Sequence, residues 1–161
     1  LAGVLVLNCQ NSTDVTGDSA RDNSPVKEDL PQPALDTAEI SLNGQRHTLT
    51  NKLSCANGVA GIGLTSAGGA NPTLFLEDVN FATQGNVTLT SPGPWRLHID
   101  PIGGGFPWEP QAGGCAATIV ENSTTVFEMK ASDCKIRIPP GGATNPASGV
   151  GSLRVRCTKQ P

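Results

Sequence analysis

Apolar and polar residues alternate with a period of two through most of the chain beyond residue 36. Side chains that alternate in this way point to opposite faces of a β-strand, so the pattern predicts strands that each bury one face. The first two runs flank Asn43-Gly44, a dipeptide that accepts the positive φ angles of a type I′ turn. This predicts a two-residue hairpin in which Ile40 faces His47 and Ala38 faces Leu49.

Seven further runs alternate similarly and predict strands separated by turns. They cover residues 73–77, 86–90, 95–100, 117–121, 125–130, 134–138 and 152–158. In the last two runs, one face carries Cys134, Ile136, Ile138, Leu153, Val155 and Cys157, and the other carries Lys135, Arg137, Arg154 and Arg156. The pattern of the glycine-rich residues 59–69 does not distinguish a strand from a loop, and no segment predicts a helix. We therefore predict an all-β fold, a small antiparallel β-sandwich.

Composition agrees with this fold class and excludes others. The chain has 161 residues, of which 19 are Gly and 13 are Pro, while aromatic residues make up 4% and charged residues 16%. Such a balance suits short strands and many turns. The net charge of −3 gives no overall basic field for nucleic acid, and no apolar run is long enough to span a membrane.

The first part of the chain differs from the rest. Residues 1–9 are an apolar run that ends in Cys9, and residues 10–36 are polar, acidic and without periodicity. An apolar run that stops at a cysteine before a polar segment resembles the lipobox of bacterial lipoproteins, although Asn8 stands where a small residue is usual. We predict acylation of Cys9, a disordered acidic tether over 10–36 and a domain over 37–161. The alternatives are that the run is an ordinary buried strand or reflects truncation of the sequence.

Five cysteines leave an even set of four once Cys9 is assigned to the lipid. Cys55, Cys115, Cys134 and Cys157 then predict two disulfides in an exported protein, with three possible connectivities. We favour Cys55 with Cys157 and Cys115 with Cys134. The main alternative joins Cys134 to Cys157 across neighbouring strands.

The favoured pairing places a condition on one hairpin. A tight turn centred on Asn122-Ser123 would put Cys115 opposite Lys130, four residues short of Cys134. The pair therefore requires a longer or bulged loop, or a turn centred on Thr124-Thr125.

Residues 40–44, 53–55 and 153–157, together with the segment around Cys9, are similar to the mycobacterial LpqH-type lipoprotein antigens. The resemblance implies a surface lipoprotein with a small β-rich domain, an acylated Cys9, a disulfide between Cys55 and Cys157, and no assigned enzymatic chemistry. The chain departs from the family pattern in Cys115 and Cys134, and in a Pro/Gly/aromatic insertion over residues 91–114.

Candidate catalytic chemistry is sparse. His47 and His98 both lie in predicted strands, and no nucleophile motif accompanies either. The cysteines lack the C-x-x-C spacing of zinc sites. We predict a non-enzymatic protein without metal or cofactor.

Two features suggest binding surfaces. The proline-rich insertion carries Trp95, Phe106 and Trp108, and aromatic residues on rigid loops often anchor sugars or protein partners. The alternative for these rings is that they fill the core. The second feature is a basic face formed by Arg137, Arg154 and Arg156 with Lys135, which could meet lipid headgroups or acidic glycans, or could be a solvated sheet face.

These observations predict a monomeric, extracytoplasmic lipoprotein of the bacterial cell envelope, acting as an antigen or binding module. Its expected partners are the membrane, through the lipid anchor, and a host or envelope protein or glycan. The alternative is a secreted carbohydrate-binding or hydrolytic accessory domain. That function would require a cleft in which Trp108 lies beside Asp100 or Glu109.

Overall fold

The computed structural model describes residues 29–69, 72–101, 107–137 and 148–161. These ranges contain eleven strands, one 3₁₀ turn at Ala67–Gly69 and no α-helix. The strands are β1 (Thr37–Leu42), β2 (Gln45–Leu49), β3 (Asn51–Cys55), β4 (Ile62–Thr65), β5 (Thr73–Glu77), β6 (Asn86–Leu89), β7 (Arg96–Asp100), β8 (Glu109–Pro110), β9 (Cys115–Asn122), β10 (Val126–Arg137) and β11 (Ser148–Thr158). The predicted all-β class is confirmed.

The strands form two antiparallel sheets. The larger sheet has the order β2-β1-β11-β10-β9-β6, with β8 also paired to β10, and the smaller has the order β3-β4-β5-β7. Inward side chains of both sheets share one apolar core, which includes Ile40, Phe127 and Met129 from the larger sheet and Leu64 and Leu76 from the smaller. The predicted sandwich is therefore confirmed, with a core between its two layers.

The predicted β1–β2 hairpin is confirmed in its register. Ile40 pairs with His47 and Ala38 with Leu49, around Asn43 and Gly44 with φ angles of 52° and 78°. Positive φ at both turn positions is the requirement of a type I′ turn.

The predicted runs 125–130 and 134–138 belong to one long strand, β10. Its ladder with β11 shifts between Ala131 and Cys134, where Asp133 adopts a φ of 55° and its N–H donates to Ser152 Oγ at 3.1 Å. This bulge lets one strand continue where the alternation along the sequence breaks. Ile138 lies outside the described residues.

Both favoured disulfides are present. Cys55–Cys157 joins β3 of the smaller sheet to β11 of the larger, and Cys115–Cys134 joins neighbouring strands β9 and β10. Since stable disulfides form in oxidising compartments, the two bonds indicate an extracytoplasmic protein.

The glycine-rich segment that the sequence left undecided contains strand β4. Gly61, just before it, has a φ of 50°, and a Cβ built there would lie 1.8 Å from the carbonyl oxygen of Leu76. Only glycine allows the backbone of the turn to approach β5 so closely.

Candidate ligand-binding surfaces

The two tryptophans of the proline-rich insertion lie in the core. Trp95 is 6% exposed and stacks on Phe127 with ring centroids 6.0 Å apart. Trp108 is 9% exposed, and its backbone N–H and carbonyl both pair with Ile99, at 2.8 and 3.0 Å. The described residues of the insertion therefore belong to the sandwich, and neither indole is displayed on its surface. Phe106 lies outside the described residues.

The acids near Trp108 do not converge on a cleft with its ring. Glu109 is 3.5 Å from an Arg96 guanidinium nitrogen, and a second nitrogen of that guanidinium is 3.3 Å from Glu77. Asp100 ends β7, two positions beyond His98 on the outer side of the strand. Glu77 and Glu109 therefore form an ion-pair cluster around Arg96, and Asp100 does not take part in it.

The two histidines lie in different sheets. His98 packs against Phe75 with ring centroids 4.7 Å apart, on the outer face of the smaller sheet. His47 lies opposite Ile40 in the β1–β2 hairpin. Among the described residues, no group of three His, Cys, Asp or Glu side chains could hold a metal ion.

The predicted basic face contains a buried carboxylate. Glu128 is 0% exposed, although it lies on the outer face of β10. Its Oε1 is 2.7 Å from Arg154 Nη2 and 2.9 Å from Arg154 Nε, while its Oε2 is 3.4 Å from Arg156 Nε. Arg156 also reaches Glu121, at 3.3 Å.

These ion pairs reduce the number of cations that the predicted basic face offers to a ligand. Arg154 and Arg156 use their guanidinium groups on carboxylates of the same sheet and are not free to bind an anionic surface. Arg137 and Lys135 remain on that outer face, and among the described residues no carboxylate pairs with either.

Residues 29–35 explain the burial of Glu128, and we call this segment the strap. Leu30 is 3% exposed and Pro33 is also buried. The side-chain amide of Gln32 donates to Glu128 Oε2 at 2.7 Å, and Arg154 Nη1 donates to the carbonyl of Leu30 at 3.1 Å. The prediction that the tether extends to residue 36 is therefore corrected, because residues 29–36 pack on the domain.

Asp36 fixes the end of the strap at the domain. Its carboxylate accepts the backbone N–H of Thr158 at 2.7 Å and lies 2.8 Å from Lys52 Nζ. Burial alone would raise the pKa of Asp36, but the hydrogen bonds and charge of Lys52 and the bonds from Thr158 outweigh it and lower that pKa below its usual value.

A groove of about 550 Å³ begins at the other end of the strap. It crosses the outer face of β10, β9 and β6, and its lining includes Asp29, Lys130, Thr118, Ala116, Thr88 and Asn86. Lys130 Nζ pairs with the Asp29 carboxylate at 3.2 Å. The groove is therefore lined mostly by small side chains, with the Lys130–Asp29 ion pair at the end where the strap begins.

Sequence reasoning missed the site formed by Gln32, Glu128 and Arg154. In the sequence Glu128 looks like an ordinary solvent-facing residue of an alternating strand. The signal that could have indicated otherwise is the pair of prolines around Gln32, which marks an extended segment within the polar region.

Comparison of the chain with protein-family models, with curated proteins and with solved structures found no significant match. Over the described ranges, no helix is long and apolar enough to cross a membrane.

Proposed function

We propose that the protein is a surface-exposed bacterial lipoprotein without enzymatic activity, serving as an envelope antigen or binding module. Its extracytoplasmic location follows from the two disulfides. The lipid anchor rests on the apolar run that ends in Cys9, which lies outside the described residues. The polar residues between Cys9 and the strap suit a spacer between membrane and domain.

The observation that carries the non-enzymatic role is the burial of Trp108. The alternative function, a carbohydrate-binding or hydrolytic accessory domain, needs this ring in a cleft beside acids. Instead the ring is 9% exposed and belongs to the core, and the neighbouring Glu109 is paired with Arg96. On this proposal the domain contributes surfaces for recognition.

The proposed partners are the membrane, through the acyl group, and a host or envelope protein or glycan. Recognition uses the outer faces of the sheets, including Lys135 and Arg137 of the predicted basic face, with which no described carboxylate forms an ion pair. The proposed state is a monomer.

Mass spectrometry of the protein purified from its native membrane, without reduction, tests the anchor. We expect Cys9 at the mature N-terminus with a mass increase that matches acyl chains. A Cys9→Ser variant of the precursor should lose membrane association, whereas a neighbouring Asn8→Ala variant should keep it. An unmodified Cys9 still preceded by its apolar run would overturn the proposal.

A further inference from the structure

The strap lies on the outer face of β10 and β11 in the manner of a bound peptide. Its residues read Asp29-Leu30-Pro31-Gln32-Pro33. We propose that this face is a binding site for an extended, proline-containing peptide segment of a partner protein, and that the strap occupies the site in cis. The inference deepens the proposed binding role and rests on it, but it does not depend on the lipid anchor.

The two prolines of the strap restrict its backbone conformation before it docks. Leu30 and Gln32 each precede a proline, which disfavours the helical region for both, and the proline rings fix two further φ angles. A segment with these restrictions loses little conformational entropy when it docks. A partner segment of the same type would bind with the same advantage.

The apolar contacts of the site select two side chains. Leu30 is 3% exposed and Pro33 is buried, whereas Leu35 at the end of the strap is 44% exposed. The site therefore recognises a leucine and, three residues later, a proline. These are the anchor positions of a Leu-Pro-x-Pro segment.

The polar contacts of the site determine the direction and the register in which a peptide segment binds. Arg154 donates to the carbonyl of Leu30, and Glu128 accepts from the side chain at position x, which is Gln32 in the strap. Lys130 pairs with the aspartate before the leucine. The preferred ligand therefore has an acidic residue before the leucine and a hydrogen-bond donor between the prolines.

The strap can leave without exposing the core of the sandwich. Leu30 does not belong to the apolar cluster between the sheets. The charged groups beneath the strap pair with one another, since Glu128 bonds to Arg154 and Arg156 within the larger sheet. Release of the strap thus exposes one leucine, one proline and a polar surface that water solvates readily.

The groove beside Asp29 extends the site. It runs from the strap across β9 to β6, where the Thr118 hydroxyl donates to Asn86 Oδ1 at 3.0 Å and the Thr88 side chain also lines the groove. Residues that precede the aspartate of a bound segment would reach this groove and add contacts to those that the strap makes.

The test uses the full chain and a labelled heptapeptide with the sequence of residues 29–35, Asp-Leu-Pro-Gln-Pro-Ala-Leu. A Leu30→Asp substitution places a carboxylate in the buried leucine site and opens the strap. Fluorescence anisotropy then measures peptide binding. The matched control is Leu35→Asp, the same substitution at an exposed position of the strap.

We expect the Leu30→Asp protein to bind the peptide at least about tenfold more tightly than the unmodified chain or the Leu35→Asp control, because cis occupancy multiplies the apparent affinity by the small fraction of molecules in which the strap is open. A peptide with aspartate in place of its leucine should not bind. A Lys130→Glu substitution added to the opened protein should weaken binding, and a peptide with lysine in place of its aspartate should restore it.

The opened protein must keep both disulfides and the near-ultraviolet circular dichroism of its buried tryptophans. If Leu30→Asp does not fold, Gln32→Glu opens the strap by placing a second carboxylate beside Glu128. A folded, opened protein that does not bind the heptapeptide would overturn the inference. Because acylation of Cys9 is read by mass, that result would leave the lipid anchor standing.

Discussion

Cys115 lies opposite Cys134 across β9 and β10, with their Cα atoms 5.1 Å apart. Each strand carries one extra residue, because Val120 has no partner in β10 and the ladder of β10 shifts between Ala131 and Cys134. The two insertions offset each other around a turn centred on Thr124-Thr125. The Cys115–Cys134 bond required either a longer or bulged loop or a turn centred on Thr124-Thr125, and the structure has this turn.

The two disulfides should contribute unequally to stability. Cys55 and Cys157 are 102 residues apart in sequence and Cys115 and Cys134 are 19 apart. In the chain-entropy model these loops correspond to about 5 and about 3 kcal/mol. Paired Cys→Ser substitutions, followed by denaturant unfolding, should therefore show the larger loss for the Cys55–Cys157 bond. Equal losses, or a larger loss for the short loop, would contradict this account.

Asp36→Asn should reduce stability at neutral pH and lose its effect in acid. The pKa of Asp36 is lowered in the folded protein, so its carboxylate stabilises the fold above the unfolded-state pKa of about 3.9. That contribution disappears as pH falls through the folded pKa. The difference in unfolding free energy between wild type and variant should therefore be largest near pH 6 to 7 and shrink below about pH 4.

The control for this prediction is Lys52→Gln, which removes the cation 2.8 Å from Asp36. It should produce a pH dependence of the same sign but smaller size, because the hydrogen bonds from Thr158 to the Asp36 carboxylate remain. A wild-type minus variant difference that stays constant from pH 7 to pH 3 would show that Asp36 does not act through its charge.

Much of the sandwich could be predicted from local patterns. Asn43-Gly44 determined a hairpin and its register, since few dipeptides accept two positive φ angles. Alternation located most strands because each buries a single face. Trp108 was harder, since Pro107 and Glu109 beside it are typical of a loop, whereas its backbone pairs with Ile99 through contacts that depend on the fold.

The strap could not be predicted for a different reason. Its anchors, Leu30 and Pro33, are isolated apolar residues without periodicity, and Gln32 bonds to Glu128 from 96 residues away. A binary pattern cannot reveal a contact made by one leucine and one amide over such a distance. The burial of Glu128 could not be predicted for the same reason. Glu128 occupies an outward position of an alternating strand, where a polar residue is expected to face solvent.

Trp108→Ala should destabilise the domain by about 3 to 5 kcal/mol, the range for removal of a buried tryptophan. The ring is 9% exposed within the core. Val59→Ala is the control, because Val59 is 77% exposed and its truncation should change stability by less than about 0.5 kcal/mol. Chemical unfolding measures both. A Trp108→Ala protein as stable as wild type would show that this ring is displayed on the surface.

Gly61→Ala should be far more destabilising than Gly58→Ala. Both glycines have positive φ, 50° and 80°, so an alanine at either position carries the same kind of backbone strain, about 1 to 2 kcal/mol. A Cβ at Gly61 would also lie 1.8 Å from the Leu76 carbonyl oxygen, whereas one at Gly58 meets nothing within 4 Å. Thermal unfolding of the two variants should therefore separate steric clash from strain, and similar losses would exclude the clash.

Arg154→Leu should destabilise the protein more than Glu128→Gln. Removal of the guanidinium leaves the carboxylate of Glu128, which is 0% exposed, with a neutral donor, the Gln32 amide at 2.7 Å, and the more distant Arg156 cation at 3.4 Å. A buried charge without its main partner costs about 3 kcal/mol. Glu128→Gln removes the charge itself, and Arg154, with 15% of its side chain exposed, can turn towards water, so the loss should be about 1 kcal/mol.

Methyl NMR of Leu30 and hydrogen exchange of β10 together distinguish the origin of these losses. If Glu128 is buried by the strap, Arg154→Leu should move the methyl shifts of Leu30, which is 3% exposed, towards those of an unfolded chain, while the amides of β10 keep most of their protection. Opening of the strap then lets water reach the Glu128 carboxylate and limits the destabilisation. Loss of protection in β10 together with the change at Leu30 would mean that the buried pair supports the larger sheet itself, and that the strap is not a separately opening element.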